Sequence, residues 1–320
     1  MSSALAFLGI SHTPLLGLNP VAPEVENALR TAIADARQCI AQFKPDRVVL
    51  IAPDHYNAFF HQLMPTLCIG TVVTGIGDFG TPSGELNVDE AGALALADGL
   101  MDDGFDLAVS RRMKADHGFT QPLQLLWDGL DTPPIIPLFV NAAAPPAIIR
   151  MRRARALGNA LGRRLAADGK RTLFIGSGGL SHEPPVPSLD TAEGVMRERI
   201  MAPWVMTEQD WAQKVERVCA AGRAMAAGTS GLKPLNPAWD ARWMDALEQG
   251  NANGALDRLV TLREEDIGAE AGNSAHESKN WLIGRCALPE NERLQCQLRF
   301  YRDIPDFIAG FGIMFLQAAR

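Results

Sequence analysis

The chain has 320 residues, 47% of them hydrophobic and 21% charged, with a formal net charge of −7 at neutral pH. That balance excludes disorder, collagen and a coiled coil, and the acidic excess argues against a nucleic-acid partner held through its phosphates.

Cys39, Cys68, Cys219, Cys286 and Cys296 form no C-x-x-C pair, so neither a disulfide framework nor a structural zinc site is expected. The opening residues carry no basic signal region, and His12 interrupts their apolar stretch. No uncharged apolar run reaches the roughly 18 residues that a membrane span needs. The expectation is a soluble, cytoplasmic protein with no membrane partner.

In chain order, residues 4–9 read as an apolar strand. Pro23 and Glu24 open a helix whose apolar residues Val25, Leu29, Ile33, Ala36, Ile40 and Phe43 keep helical spacing until Pro45 stops it. Arg47–Ala52 is a β-branched, buried strand. The alternation continues with a helix near 88–101, a strand at 106–110 and a helix near 122–128. Strand Ile135–Val140, an Arg-rich helix over 146–168 and a strand at 171–176 complete this half. Such a pattern predicts an α/β fold, a mainly parallel central sheet with helices on both faces. Residues 191–286 read as mostly helical, broken at 231–237 and 251–254, before a strand-like run at 294–301 and an apolar segment at 306–316. No Gly/Ser-rich linker separates the halves. One domain over 1–320 is therefore expected, with a β/α core over 1–190 and a largely helical remainder, 191–320, packed on it.

Four of the six histidines, His12, His55, His117 and His182, each follow a predicted strand. The C-terminal ends of parallel strands share one sheet edge, where ligand sites form, so these residues could meet. A lone histidine in such a loop is more often a packing residue, and His61 is read that way. Imidazole with carboxylate suits iron, manganese or zinc. Two histidines and one carboxylate on Fe(II) leave positions open for substrate and dioxygen. The other two histidines would then be free for proton transfer. The nearby carboxylates are Asp54, Asp116, Glu183 and Glu277, and local reasoning does not choose among them. Asp54 and Asp116 also suit turns, and Glu277 suits a first helical turn.

Other motifs fail. Gly176-Ser-Gly-Gly179 lacks the lysine of a phosphate loop and is followed by prolines. Ser177 lacks the frame of a nucleophile elbow, and Asp78-Phe-Gly80 has no catalytic loop to go with it. His276-Glu277 is not followed by the second histidine of a zinc-protease motif. The glycines before His182 are read as letting the backbone approach a ligand closely.

Several blocks resemble the type III extradiol ring-cleavage dioxygenases. They include Ser11-His-Thr-Pro14, Ala52-Pro-Asp-His-Tyr-Asn57, Gly75-Ile-Gly-Asp-Phe-Gly80 and Ala115-Asp-His-Gly-Phe119. The long block from Phe174 to Pro187, which contains GSGGLSHEPPVP, is the most specific. Leu235-Asn-Pro-Ala-Trp-Asp240, Ala271-Gly-Asn-Ser-Ala-His-Glu277 and the run from Ile304 to Gly312 extend the similarity over nearly the whole chain. The resemblance implies Fe(II) held by His12, His55 and Glu277, with His117 as proton donor and His182 as proton acceptor. It also implies a catechol and O2 as reactants, a propionate or cinnamate side chain on the catechol, and a homo-oligomer. A side-chain carboxylate calls for a cation in the pocket, with Arg111, Arg112, Lys114 and Arg302 as candidates. Two competing readings are a non-catalytic binding module on the same fold and a zinc or manganese hydrolase using the same ligands.

Overall fold

The computed structural model describes residues 4–289 and 294–318. Its strands are β1 (Leu5–Ile10), β2 (Arg47–Ala52), β3 (Leu67–Gly70), β4 (Val73–Ile76), β5 (Ser83–Glu85), β6 (Ala108–Ser110), β7 (Met113–Ala115), β8 (Ile135–Val140), β9 (Thr172–Ser177), β10 (Leu294–Ile304) and β11 (Ala309–Ala318). Its helices are α1 (Pro23–Phe43), α2 (Glu90–Asp102), α3 (His117–Trp127), α4 (Met151–Ala166), α5 (Gly194–Met201), α6 (Glu208–Ala226), α7 (Pro237–Gln249), α8 (Ala255–Leu259), α9 (Glu264–Ala271) and α10 (Ser278–Cys286).

The main sheet runs β10-β11-β1-β9-β2-β8-β3-β6. Its centre, β1-β9-β2-β8, is parallel throughout, while β11 and β3 pair antiparallel on its two sides. The predicted α/β class with a mainly parallel sheet is therefore what the chain adopts. Successive strand residues point to opposite faces. Phe7, Val49, Ile51 and Phe174 pack with α2, α4 and α7–α10. Ala6, Leu8, Val48, Leu50 and Ile175 pack with α1, α3 and α6. Both faces being covered explains why β1, β2, β8 and β9 are buried along their whole length.

Several elements differ from the sequence reading. Helix α3 begins at His117, five residues before Pro122, because the Asp116 side chain accepts from Gly118 N–H and caps it. Helix α4 starts at Met151 and not at Pro146, since Asn141 folds the preceding stretch into a loop through the N–H groups of Ala143 and Ala144. The apolar segment after 306 is strand β11, buried beside β1. Strands β3, β4, β5 and β7 are too short to read from alternation, and the last three form a separate sheet, β5-β4-β7. The breaks near 231–237 and 251–254 fall where expected, before α7 and α8. Among the described residues no helix is long and apolar enough to cross a membrane.

Candidate metal centre

Strands β1, β9 and β2 are neighbours and parallel, so His12, His182 and His55, a few residues beyond their ends, reach the same edge. His117 arrives differently. It follows β7 of the small sheet, not the end of β6, and opens α3. Glu277 ends the 3-10 turn Asn273–Glu277 just before α10. All five residues come together. The His55 and His117 rings stack at 4.4 Å, and His12 stands edge-on to both at 5.4 Å. Glu277 lies 3.1 Å from His55 Nε2, 3.6 Å from His12 Nε2 and 3.4 Å from His182 Nε2.

Each imidazole is anchored through Nδ1. His117 donates to Asp78 at 2.6 Å, His55 to Asp116 at 3.0 Å and His182 to the Leu180 carbonyl at 2.9 Å. His12 Nδ1 meets Ser177 Oγ at 2.9 Å, and the Ser177 hydroxyl donates to the Gly118 carbonyl at 2.6 Å. With that proton committed, Ser177 Oγ accepts from His12. The Gly118 carbonyl is available because Pro122, four residues on within α3, has no N–H to offer it. Such partners fix ring orientation and tautomer, leaving each Nε2 for the centre.

The carboxylates divide cleanly. Asp54 accepts from the N–H groups of Asn57, Ala58 and Phe59, shaping the loop after β2, and burial, then the nearby Asp116, pushes its pKa up to about 7. Asp116 caps α3 while taking the His55 backbone N–H, its ring and Asn57. Glu183 ties the loop to Asn273. Of these four carboxylates, Glu277 is the one that meets the Nε2 atoms of His12, His55 and His182. Burial opposes its ionisation, but His182 and His12, with hydrogen bonds from His182 and His55, hold its carboxyl well below the usual range. Burial likewise opposes protonation of His55, yet Asp116 and then Glu277 raise its pKa well above normal. For His182 the Glu277 carboxylate and the Leu180 carbonyl outweigh burial and raise the pKa. Burial pushes His12 down to about 3 against the pull of Glu277, so its Nε2 keeps a lone pair at neutral pH.

Gly178 and Gly179 explain how Glu277 fits. A Cβ on Gly178, whose φ is +148°, would sit 2.5 Å from the Glu277 Cβ, and one on Gly179 would lie 2.8 Å from the His182 ring. Gly179 N–H also donates to Glu277 at 3.0 Å. The close approach expected for a ligand is thus made by the protein's own glutamate and His182 ring.

The donor set suits a divalent metal. Ring nitrogens of His12, His55 and His117 lie within 4.8 Å of one another, and a buried anion needs a cation beside it. Nitrogen and oxygen donors without thiolate fit iron, manganese or zinc. Asp78, Asp116 and His117 are also gathered, but these two carboxylates are engaged in holding His117 and His55.

A cavity of about 210 Å³ is lined by the four histidines and by Pro184, Val186, Trp204 and Ile308 among others. The cations expected for it are misplaced. Arg111, Arg112, Lys114 and Arg302 do not line it. Arg111 pairs with Glu90, Lys114 points outward between buried Met113 and Ala115, and Arg302 is exposed on β10. The cavity's cations are Arg199, Lys214 and Arg217, on α5 and α6. Sequence reasoning also missed Ser177 and Asp78 as partners of His12 and His117. The helical spacing of Met196, Arg199 and Ile200, and of Asp210, Lys214, Arg217 and Val218, was the readable sign of a wall facing the site.

Residues 6–312 match the family model described as the catalytic LigB subunit of aromatic ring-opening dioxygenase. A protein of Comamonas testosteroni named "2,3-dihydroxyphenylpropionate/2,3-dihydroxicinnamic acid 1,2-dioxygenase" is 57% identical over 97% of this chain and 96% of its own. Proteins with the same name from Klebsiella pneumoniae and a Rhodococcus species are 44% and 41% identical over 95% and 97% of both chains. The crystal structure of an uncharacterized Escherichia coli K12 protein shares the fold, with a TM-score of 0.53 and 11% identity over 98% of this chain and 99% of that one. The chain belongs to the family of catalytic LigB subunits of aromatic ring-opening dioxygenases.

Proposed function

We propose that this chain is an Fe(II)-dependent extradiol dioxygenase. It would cleave 3-(2,3-dihydroxyphenyl)propionate, and 2,3-dihydroxycinnamate as a second substrate, with O2; the propionate gives 2-hydroxy-6-oxonona-2,4-dienedioate. The names of its relatives support the substrate. The observation that carries the reading is the grouping of His12, His55 and Glu277 beside two further anchored histidines on one cavity.

The residues that would hold the metal are His12, His55 and Glu277. When bound, Fe(II) would supply a meeting place for the catechol oxygens and dioxygen and would lower the hydroxyl pKa. His182, whose Nδ1–H is spent on the Leu180 carbonyl, would accept the remaining catechol proton at Nε2. His117, held by Asp78, would return a proton from Nε2 to oxygen as the O–O bond breaks. The apolar walls, among them Val186, Trp204 and Ile308, would seat the ring and exclude water.

We place the whole chain in one domain, because the ligand set draws on both ends of the sequence. Family resemblance supports a homo-oligomer, which light scattering would test. The decisive experiment is oxygen uptake by anaerobically purified, Fe(II)-loaded protein. One dioxygen consumed per dihydroxyphenylpropionate, with a yellow product, is expected. Absence of uptake, or hydrolysis supported by zinc or manganese, would overturn the reading.

A further inference from the structure

The wall formed by α5 and α6 carries three cations and one acid. Arg199 is already committed: it pairs with Asp210 at 2.6 Å and lies 3.9 Å over the Trp204 ring. Asp210 is itself held in the capping box of α6 by Thr207. The Lys214 ammonium lies 5.0 Å from the Trp211 ring and 5.7 Å from the Phe79 ring, and among the described residues it has no ion pair. Among the described residues no carboxylate reaches Arg217. Arg217 lines the cavity while staying exposed to solvent, and partial desolvation, then the neighbouring Arg199 guanidinium, lower its pKa from the usual arginine value. The buried Nε of Arg199 also lacks a hydrogen-bond partner. A chain of net charge −7 thus shows a local positive excess on one wall of the cavity that contains the histidines, an arrangement that draws anions inward.

We propose that Arg217, with Lys214 one helical turn away on α6, receives the side-chain carboxylate of the catechol and sets a preference for anionic over neutral side chains. The spacing of three residues places both cations on the same helix face. A guanidinium can meet a carboxylate with two parallel hydrogen bonds. The four histidines would take the diol end of the molecule and the α6 wall the other end, within a cavity that apolar Val186, Met196 and Ile200 also line. This inference rests on the ring-cleavage reading of the site.

The test is calorimetric binding, without oxygen, to Fe(II)-loaded protein, comparing 3-(2,3-dihydroxyphenyl)propionate with 3-propylcatechol. Arg217→Met is expected to weaken the propionate about tenfold, as for loss of a charge-assisted contact at a partly solvated rim. It should leave 3-propylcatechol unchanged. Arg217→Lys should recover most of the loss, Lys214→Met should show the same selective effect more weakly, and Arg111→Met, outside the cavity, should do nothing. Equal weakening of both catechols, or no change in either, would overturn the assignment while leaving ring cleavage intact. If wild-type protein bound neither catechol, the ring-cleavage reading would fall and this inference with it.

Discussion

Each histidine of the site has one nitrogen committed to an oxygen, and the identity of that oxygen sorts the four. His55 and His117 lean on carboxylates, His12 on a hydroxyl and His182 on a backbone carbonyl. In every case the Nδ1 contact leaves Nε2 facing the centre, the atom through which His182, the proposed base, would take a proton and His117, the proposed acid, would give one. Glu277→Gln keeps the shape and removes the charge that His12, His55 and His182 share. Metal affinity should fall by more than about a hundredfold, beyond what loss of an outer partner costs. By contrast, His182→Ala should retain the metal and lose about a hundredfold or more in turnover. Metal content measured beside single-turnover rates separates the two, and a Glu277→Gln protein with full metal content would remove that residue as a ligand. The histidines were legible because they follow strands. Glu277 was not separable locally from Asp54, Asp116 or Glu183, since what distinguishes it is where α10 packs against β9.

Helix α3 shows an element whose fault is put to use. A proline inside a helix costs about 3 kcal/mol relative to alanine, and Pro122 sits where its missing N–H releases the Gly118 carbonyl to Ser177 and so to His12. Pro122→Ala should therefore stabilise the protein against urea while lowering metal affinity about tenfold, because the restored N–H competes for Gly118. A variant more stable and equally tight for metal would show that the relay does nothing. This also explains why the start of α3 was misread: by local rules a proline begins a helix, and here it lies within one. The parallel strands were readable because continuous apolar runs record burial on both faces. The cations of α6 were not, because a helix face lined with Lys214 and Arg217 looks like a solvated one until the loop at 184–187 folds opposite it.

At the scale of the whole molecule, the proposed ligands come from residues 12, 55 and 277, so the metal would join the first strand to the last helix through a sheet in which β11 returns beside β1. Anything that binds only the folded chain stabilises it by mass action, by about 2.7 kcal/mol at a concentration one hundred times the dissociation constant. For a chain of this size that corresponds to a rise in melting temperature of about 4 °C. If the chain is one cooperative unit, the whole transition should move together, whether followed by helix signal or by tryptophan fluorescence, since Trp127 lies in α3 while Trp239, Trp243 and Trp281 lie in the helical half. Two domains would instead show a metal-sensitive and a metal-insensitive transition. Scanning calorimetry of metal-free and Mn(II)-loaded protein, with Glu277→Gln as the control that should lose the shift, decides between them. A shift that survives in that control would place the metal elsewhere in the fold.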